Sequence, residues 1–131
     1  MHWYGYHSQK AMGRSYGGPG MYLSKLPSSL SMGDLIWVVE GDTSTPIEFA
    51  LVDCFQYEVS ESPAPDAAVS RFSVRVTGSS LLGSRRILLD KTWPWFIDLH
   101  GRYITKQRFF NSLASEAEIV NGLKEVAGLV L

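Results

Sequence analysis

The clearest pattern in the sequence is a continuous hydrophobic run at positions 35–39, followed by a longer, broadly alternating run at positions 47–59. A short run rich in β-branched and aromatic side chains predicts a central strand that is covered on both faces. Gly-Asp pairs at 33–34 and 41–42 flank it, and both residue types favour turns. The two runs therefore predict a β-hairpin. The alternation of the second strand slips at positions 53–54, which predicts a β-bulge or a bend.

Other segments predict shorter elements around this hairpin. Residues 2–7 alternate bulky rings with smaller groups, which predicts a first strand. Residues 71–77 alternate polar and apolar side chains, which predicts a later strand with one solvated face. Positions 86–90 predict a further short strand. Residues 8–21 contain four glycines and a proline, so we expect a loop, and its length is typical of loops that close over ligands. Residues 22–27 predict a short strand or a helical turn.

Helices are predicted mainly towards the end of the chain. Pro94 excludes the ring-rich segment 91–96 from a central strand position. Residues 105–113 predict a helical turn, and a capping-box motif at 115–118 predicts the start of a helix that Gly128 ends. Strands followed by helices predict an α+β fold. We expect a curved β-sheet or small β-barrel with peripheral helices and a C-terminal helix.

Length and composition limit the class of protein. The chain has 131 residues, the size of a single domain spanning residues 1–131. Its one cysteine, Cys54, excludes an internal disulfide, and its place in an apolar strand predicts a buried, unreactive thiol. A secretory signal and an apolar run of about 18 residues are both missing from the sequence, so we expect a cytoplasmic protein without a membrane span. The apolar ending at 129–131 is compatible with excision from a longer chain.

The net charge of -1 hides an asymmetry along the chain. Residues 1–66 carry a balance of -5, whereas residues 67–131 carry +4. The excess is greatest over residues 71–108, where eight basic residues accompany two acidic ones. Such a local excess creates a positive face that favours phosphate groups. The candidate phosphate contacts are Arg71, Arg75, Arg85, Arg86, Lys91 and Arg102.

Aromatic side chains are the second lead to function. Tryptophan and tyrosine are more numerous than a core of this size requires, and their polar tips need partners. Rings beside arginines suit a site that stacks a base while neutralising the adjacent phosphates. The candidate walls of such a base pocket are Trp3, Tyr6, Trp37, Trp93 and Trp95. Asp34 or Asp53 is the candidate acceptor for the edge of the base.

Motifs for metal, cofactor or nucleophilic chemistry are absent from the sequence. The three histidines are scattered and Cys54 has no partner at ligand spacing, so we expect no metal site and no cofactor. Phosphate-binding and dinucleotide-binding fingerprints are also missing. We therefore expect a binding protein rather than an enzyme. A small hydrolase or nuclease that uses Asp53, His100 or Glu48 is the minority hypothesis.

One family resemblance supports the binding hypothesis. Trp3-Tyr4 in an N-terminal strand, then residues 33–38 opening a central strand with a hairpin partner, resemble the PUA-like superfamily, particularly its EVE-like modified-base readers. The resemblance implies a small β-barrel with peripheral helices that holds a modified base in an aromatic pocket. It also implies DNA as the favoured nucleic acid, base flipping, and an associated or fused restriction nuclease.

A second class of function stays open at this point. Exposed rings also suit a protein-interaction or assembly domain, whose partner surface they would form. Self-association that depends on concentration, without binding to nucleic acid, would favour that class.

Overall fold

The structure is a computed structural model that describes residues 1–62, 72–103 and 110–130. In chain order, its elements are β1 (His2–Ser8), α1 (Gln9–Met12), β2 (Gly20–Leu23), β3 (Leu35–Gly41), β4 (Phe49–Glu61), β5 (Val74–Ser80), β6 (Ile87–Leu88), α2 (Pro94–Tyr103), β7 (Asn111–Ser112) and α3 (Ala117–Ala127). The described residues thus form an α+β fold with a curled, mixed sheet, which confirms the predicted fold class at this level.

The sheet is built around β3. Its strands follow the order β2-β5-β4-β3-β1-β7, and β6 pairs with β4 outside this path. β1 and β3 are parallel, whereas β3 and β4 form the predicted antiparallel hairpin, in which Trp37 lies opposite Cys54. All residues of β3 except Leu35 are buried. The prediction of a central strand covered on both faces is therefore confirmed.

The predicted bulge lies in β4. Val38 pairs with Asp53 and Val39 pairs with Leu51, so Val52 is the extra residue. Leu51 and Cys54, three positions apart, both join the core cluster on one face of the sheet, although strict alternation would place them on opposite faces. The bulge thereby takes Asp53 away from the face that Leu51 occupies.

Two hydrophobic clusters cover the two faces of the sheet. Alternate residues of β3 divide between them, since Trp37 and Val39 belong to one and Ile36 and Val38 to the other. α2 and α3 complete the first cluster, to which Phe96 and other buried residues of these helices contribute. The strands β2 and β5 curl over the second. Both faces of the central hairpin are thus dry, which matches its near-continuous hydrophobic sequence.

The helix α2 was not predicted. Pro94 was interpreted only as a residue that excludes a central strand, but it is the first residue of this helix. At that position a backbone N–H has no intrahelical acceptor, so proline costs little, and its fixed φ favours the helical turn.

The predicted loop at 8–21 is shorter in the structure. The Ser8 hydroxyl accepts a hydrogen bond from the Ala11 N–H at 3.1 Å, which begins α1, and Gly13 ends it with a φ of 72°. Gly20 already belongs to β2. Residues 13–19, called the glycine loop below, remain irregular.

Two predictions near the C-terminus need correction. Residues 111–112 form β7, so the predicted helical turn over 105–113 is wrong at this end, while 104–109 lie outside the described residues. Glu116 is the N-cap of α3 and makes no side-chain capping bond, so the predicted capping box at 115–118 does not form. Glu116 instead accepts hydrogen bonds from Arg102 and Tyr103, which join α2 to the start of α3. Gly128 ends α3 with a φ of 68°, as predicted.

Across the described ranges, the helices are too short and too polar for any of them to cross a lipid bilayer.

Candidate ligand-binding cleft

A cleft of about 780 Å³ opens between the glycine loop and the segment 81–86 that joins β5 to β6. The strands beneath it contribute two acidic side chains, Glu40 from the end of β3 and Asp53 from the bulge of β4. Its volume lies within the range of about 300–1,000 Å³ that is usual for sites of small ligands.

Asp53 is a buried carboxylate in the wall of the cleft. The residue is 2% exposed, and each of its oxygens accepts one hydroxyl hydrogen bond, from Ser80 and from Tyr16, both at 2.6 Å. A carboxylate oxygen has room for a second donor. Asp53 can therefore accept further hydrogen bonds from a ligand without losing the two that hold it.

Glu40 fixes the walls of the cleft. It is 1% exposed and accepts hydrogen bonds from the Gln9 side chain, the Tyr16 backbone N–H and the Arg86 guanidinium. His7 lies 3.7 Å from the same carboxylate. These donors come from α1, the glycine loop and segment 81–86, so one buried charge ties three surface segments to β3. A buried carboxylate needs such partners because desolvation without them is very costly.

Tyr16 holds the glycine loop against the sheet. Its hydroxyl donates to Asp53 and accepts from the Gly20 N–H at 3.1 Å. Burial, followed by the hydrogen bond to Asp53, raises the pKa of the phenol well above its ordinary value. The ring lies directly over Gly18, where a β-carbon would be 2.0 Å from the phenol oxygen, whereas Gly17 faces open space. Gly18 is thus required for the close approach of the ring.

The five predicted pocket rings do not line this cleft. Trp3 and Trp37 are buried on opposite faces of the sheet, and Tyr6 is buried in the same cluster as Trp37. Trp93 and Trp95 stack on each other with centroids 5.7 Å apart and pack against that cluster. Four of these rings therefore lie in or against one core cluster, and Trp3 lies in the other. The predicted aromatic pocket is corrected accordingly, since Tyr16 is the ring in the cleft.

Asp34 stabilises the fold rather than the cleft. Its carboxylate accepts hydrogen bonds from the Trp3 indole and the Ser31 backbone N–H, both at 2.9 Å. Burial acts to raise the pKa of Asp34, but these hydrogen bonds outweigh it and lower the pKa overall. Trp3 and Asp34 were both predicted to line the base pocket. They do contact each other, but at the start of β1 and not in the cleft.

The predicted phosphate contacts separate into three groups. Arg85 and Arg86 line the cleft, where Arg86 pairs with Glu40 and Arg85 donates to the Ala127 carbonyl at the end of α3. Arg75 pairs with Glu61 at 3.4 Å and lines a smaller cavity on the other side of the glycine loop.

The remaining basic residues lie elsewhere. Arg102 pairs with Glu116, and the Lys91 ammonium lies 5.8 Å from the centre of the Phe49 ring. Arg71 lies outside the described residues. The structure therefore gathers part of the predicted basic surface, Arg75, Arg85 and Arg86, around the glycine loop.

The residues of the minority enzyme hypothesis are not brought together. His100 contacts Phe49 and Phe96 instead of Asp53, and Glu48 is exposed. Cys54 is buried, as predicted, and burial raises the pKa of its thiol to about 12, which disfavours the reactive thiolate. Within residues 1–62, 72–103 and 110–130, no three potential metal ligands cluster.

Comparison of the sequence with protein-family models, with curated proteins and with solved structures gave no match.

Sequence reasoning missed two residues of the cleft, Glu40 and Ser80, although a signal existed for Glu40. Tyr16 entered the prediction only as a residue of the glycine-rich loop that was expected to close over a ligand. Glu40 directly follows the hydrophobic run 35–39, and a charge that continues a buried strand requires partners. Nothing in the sequence pointed to Ser80, because its role depends on the pairing of β4 with β5.

Proposed function

We propose that this protein binds nucleic acid and holds a single base, taken out of its stack, in the cleft. The observation that carries the proposal is a buried carboxylate, Asp53, in a cleft that also presents a tyrosine and two arginines. Each of these groups suits one part of a nucleotide.

Asp53 suits the edge of a base. Its oxygens accept hydrogen bonds, and the exocyclic amino groups of cytosine and adenine are the corresponding donors. In an intact pair one N–H of this group bonds the partner base and the other faces the major groove, whereas a flipped base offers both to an acceptor inside a cleft. Because Asp53 is fixed by Tyr16 and Ser80, it needs little reorganisation to accept such a donor.

Arg85 and Arg86 suit the phosphates next to that base. Their other contacts hold the guanidinium groups at the cleft, and the pairing of Arg86 with Glu40 fixes its orientation. Arginine presents several N–H groups, so a guanidinium that already makes one bond still has donors for a phosphate.

The resemblance of residues 3–4 and 33–38 to PUA-like modified-base readers supports the same class of ligand. It favours DNA with a modified base as the target. The relevant site is the Asp53 cleft in place of the five-ring pocket that the sequence suggested.

The proposal is tested by fluorescence anisotropy with labelled oligonucleotides. Duplexes with modified or unmodified cytosine, and the matching single strands, are titrated at several salt concentrations. We expect saturable binding that weakens as salt rises, with tighter binding of the modified duplex. Asp53→Asn is expected to weaken binding about 10- to 100-fold, the effect of one charge-assisted hydrogen bond.

Glu58→Gln is the matched control. Glu58 is an exposed carboxylate on the same strand, and it accepts a hydrogen bond from the Ser79 hydroxyl. Thermal unfolding of both variants verifies that they are folded. Affinity that is independent of salt, of modification and of Asp53→Asn would refute the proposal.

A further inference from the structure

The glycine loop separates two cavities of opposite character. Residues 15–18 line both the cleft and a smaller cavity of about 200 Å³ on the other side of the loop. The cleft contains the carboxylates of Glu40, Asp42 and Asp53. Among the described residues that line the smaller cavity, the charged or ionisable side chains other than Tyr16 and Tyr22 are Arg14, Arg75 and His7, and none is a carboxylate.

Arg75 brings a positive charge close to the loop. Its guanidinium lies 5.7 Å from the centre of the Tyr22 ring, and its ion pair with Glu61 is partly exposed to solvent on both sides. Exposed pairs of this kind exchange partners at little cost. The charge of Arg75 also acts to lower the pKa of Tyr16, against the larger effect of burial, so its field reaches the loop.

The loop itself can approach a ligand closely. Gly17 and Gly18 contribute backbone to the smaller cavity without side chains that would hold an anion away. Gly20, at the start of β2, also lines it, but its N–H already donates to the Tyr16 hydroxyl. A β-carbon on Gly17 would have no atom of the described residues within 4 Å, so the crest of the loop is open to them at this residue. Glycine backbone N–H groups next to arginines are a common arrangement for binding oxyanions.

We propose that the smaller cavity is a phosphate site, and that a nucleotide chain crosses the loop at Gly17 with its base in the cleft and a neighbouring phosphate beside Arg75. The crossing rests on the proposed function, whereas the phosphate site stands without it. Together the two cavities make the site specific for a nucleotide unit rather than for a free base.

The test is an NMR titration of the ¹⁵N-labelled protein with inorganic phosphate at constant ionic strength, adjusted with chloride. We expect saturable shifts of the Gly17, Gly18 and Gly20 amide signals. Arg75→Gln is expected to raise the dissociation constant about tenfold, the loss of one charge-assisted hydrogen bond. Arg75→Lys keeps the charge and is expected to retain most of the affinity.

Arg102→Gln is the control, because it removes an arginine from another exposed ion pair and changes the net charge equally. Its affinity for phosphate is expected to match that of the unmodified protein. Equal effects of Arg75→Gln and Arg102→Gln, or linear shifts without saturation, would overturn the phosphate site.

Oligonucleotide titrations then identify the source of the phosphate. If the chain crosses the loop, Arg75→Gln lowers the slope of log affinity against log salt by about 0.7 to 0.9, the value of one phosphate contact. Asp53→Asn is expected to weaken oligonucleotide binding and to leave inorganic phosphate binding unchanged. Phosphate binding without oligonucleotide binding would support the anion site and refute the proposed function. Oligonucleotide binding that Asp53→Asn weakens and Arg75→Gln does not would support the proposed function and refute the crossing of the loop.

Discussion

Individual buried charges determine the chemistry of this protein. Glu40 and Asp53 lie on neighbouring strands, and each is almost fully buried and accepts hydrogen bonds from groups around the cleft. The sequence identified Asp53 because it interrupts a hydrophobic alternation. It could not supply the partners, because Tyr16 is 37 positions away and Ser80 is 27 away in the chain. Contacts at such separations depend on strand register, which residue patterns do not specify.

The Glu40–Arg86 pair is expected to contribute strongly to stability. Glu40 is buried, so Arg86→Gln leaves a carboxylate without its cation. We expect a loss of about 2 to 4 kcal/mol in the free energy of unfolding, below the full cost for a buried pair because Arg86 is partly exposed. Urea denaturation measures it, with Arg102→Gln at a surface pair as the control and a much smaller loss expected there. Equal losses would contradict the structural role of Glu40.

Asp34 gives the stability of the fold a defined pH dependence. Its pKa is lowered in the folded state, because hydrogen bonds to the carboxylate outweigh the opposite effect of burial. Such a group stabilises the fold above its unfolded pKa of about 4, and the contribution disappears as the pH falls through the folded pKa. Asp34→Asn is therefore expected to lower the free energy of unfolding by about 1 to 3 kcal/mol at neutral pH. Urea denaturation should show this difference shrinking as the pH falls below about 4, and a difference that grew instead would contradict the assignment.

At the level of elements, the hairpin of β3 and β4 was predictable and the packing of the helices was not. A continuous hydrophobic run and a slipped alternation are local signals, and both the central strand and the bulge at Val52 follow them. The start of α2 at Pro94 was missed because proline disfavours strands and also opens helices. Where α2 meets α3 depends on Trp95 lying against Gly122, a contact that no local pattern encodes.

Two helical glycines provide a test of this packing. A β-carbon on Gly122 would lie 2.3 Å from the Trp95 ring, whereas one on Gly101 in α2 would meet no atom within 4 Å in the part of the chain that the structure describes. Gly101→Ala is expected to raise the free energy of unfolding by about 0.5 to 1 kcal/mol through helix propensity. Gly122→Ala gains the same propensity but displaces the indole, so we expect a net loss of about 1 to 2 kcal/mol. Chemical denaturation of both variants decides, and a stabilising Gly122→Ala would contradict the packing of α2 on α3.

At the scale of the whole molecule, the fold brings acidic residues from the first half of the chain and basic residues from the second half together around the glycine loop. The acidic first half supplies Glu40 and Asp53, and the basic second half supplies Arg75, Arg85 and Arg86 around the same loop. The sequence predicted both charge and rings but assigned the rings to a pocket. Four of the five predicted pocket rings, including Trp37, lie in or against the hydrophobic cluster that α2 and α3 cover. The fifth, Trp3, is buried in the cluster on the opposite face of the sheet.

The most direct test of the account is an NMR map of where an oligonucleotide with modified cytosine binds. The ¹⁵N-labelled protein is titrated with the oligonucleotide, and amide shifts are compared residue by residue. We expect saturable shifts at the glycine loop, at Asp53 and Ser80, and at segment 81–86, with α2 and α3 largely unaffected. Shifts confined to the α2–α3 side, or no saturable shifts at all, would contradict the claim that the cleft is the binding site.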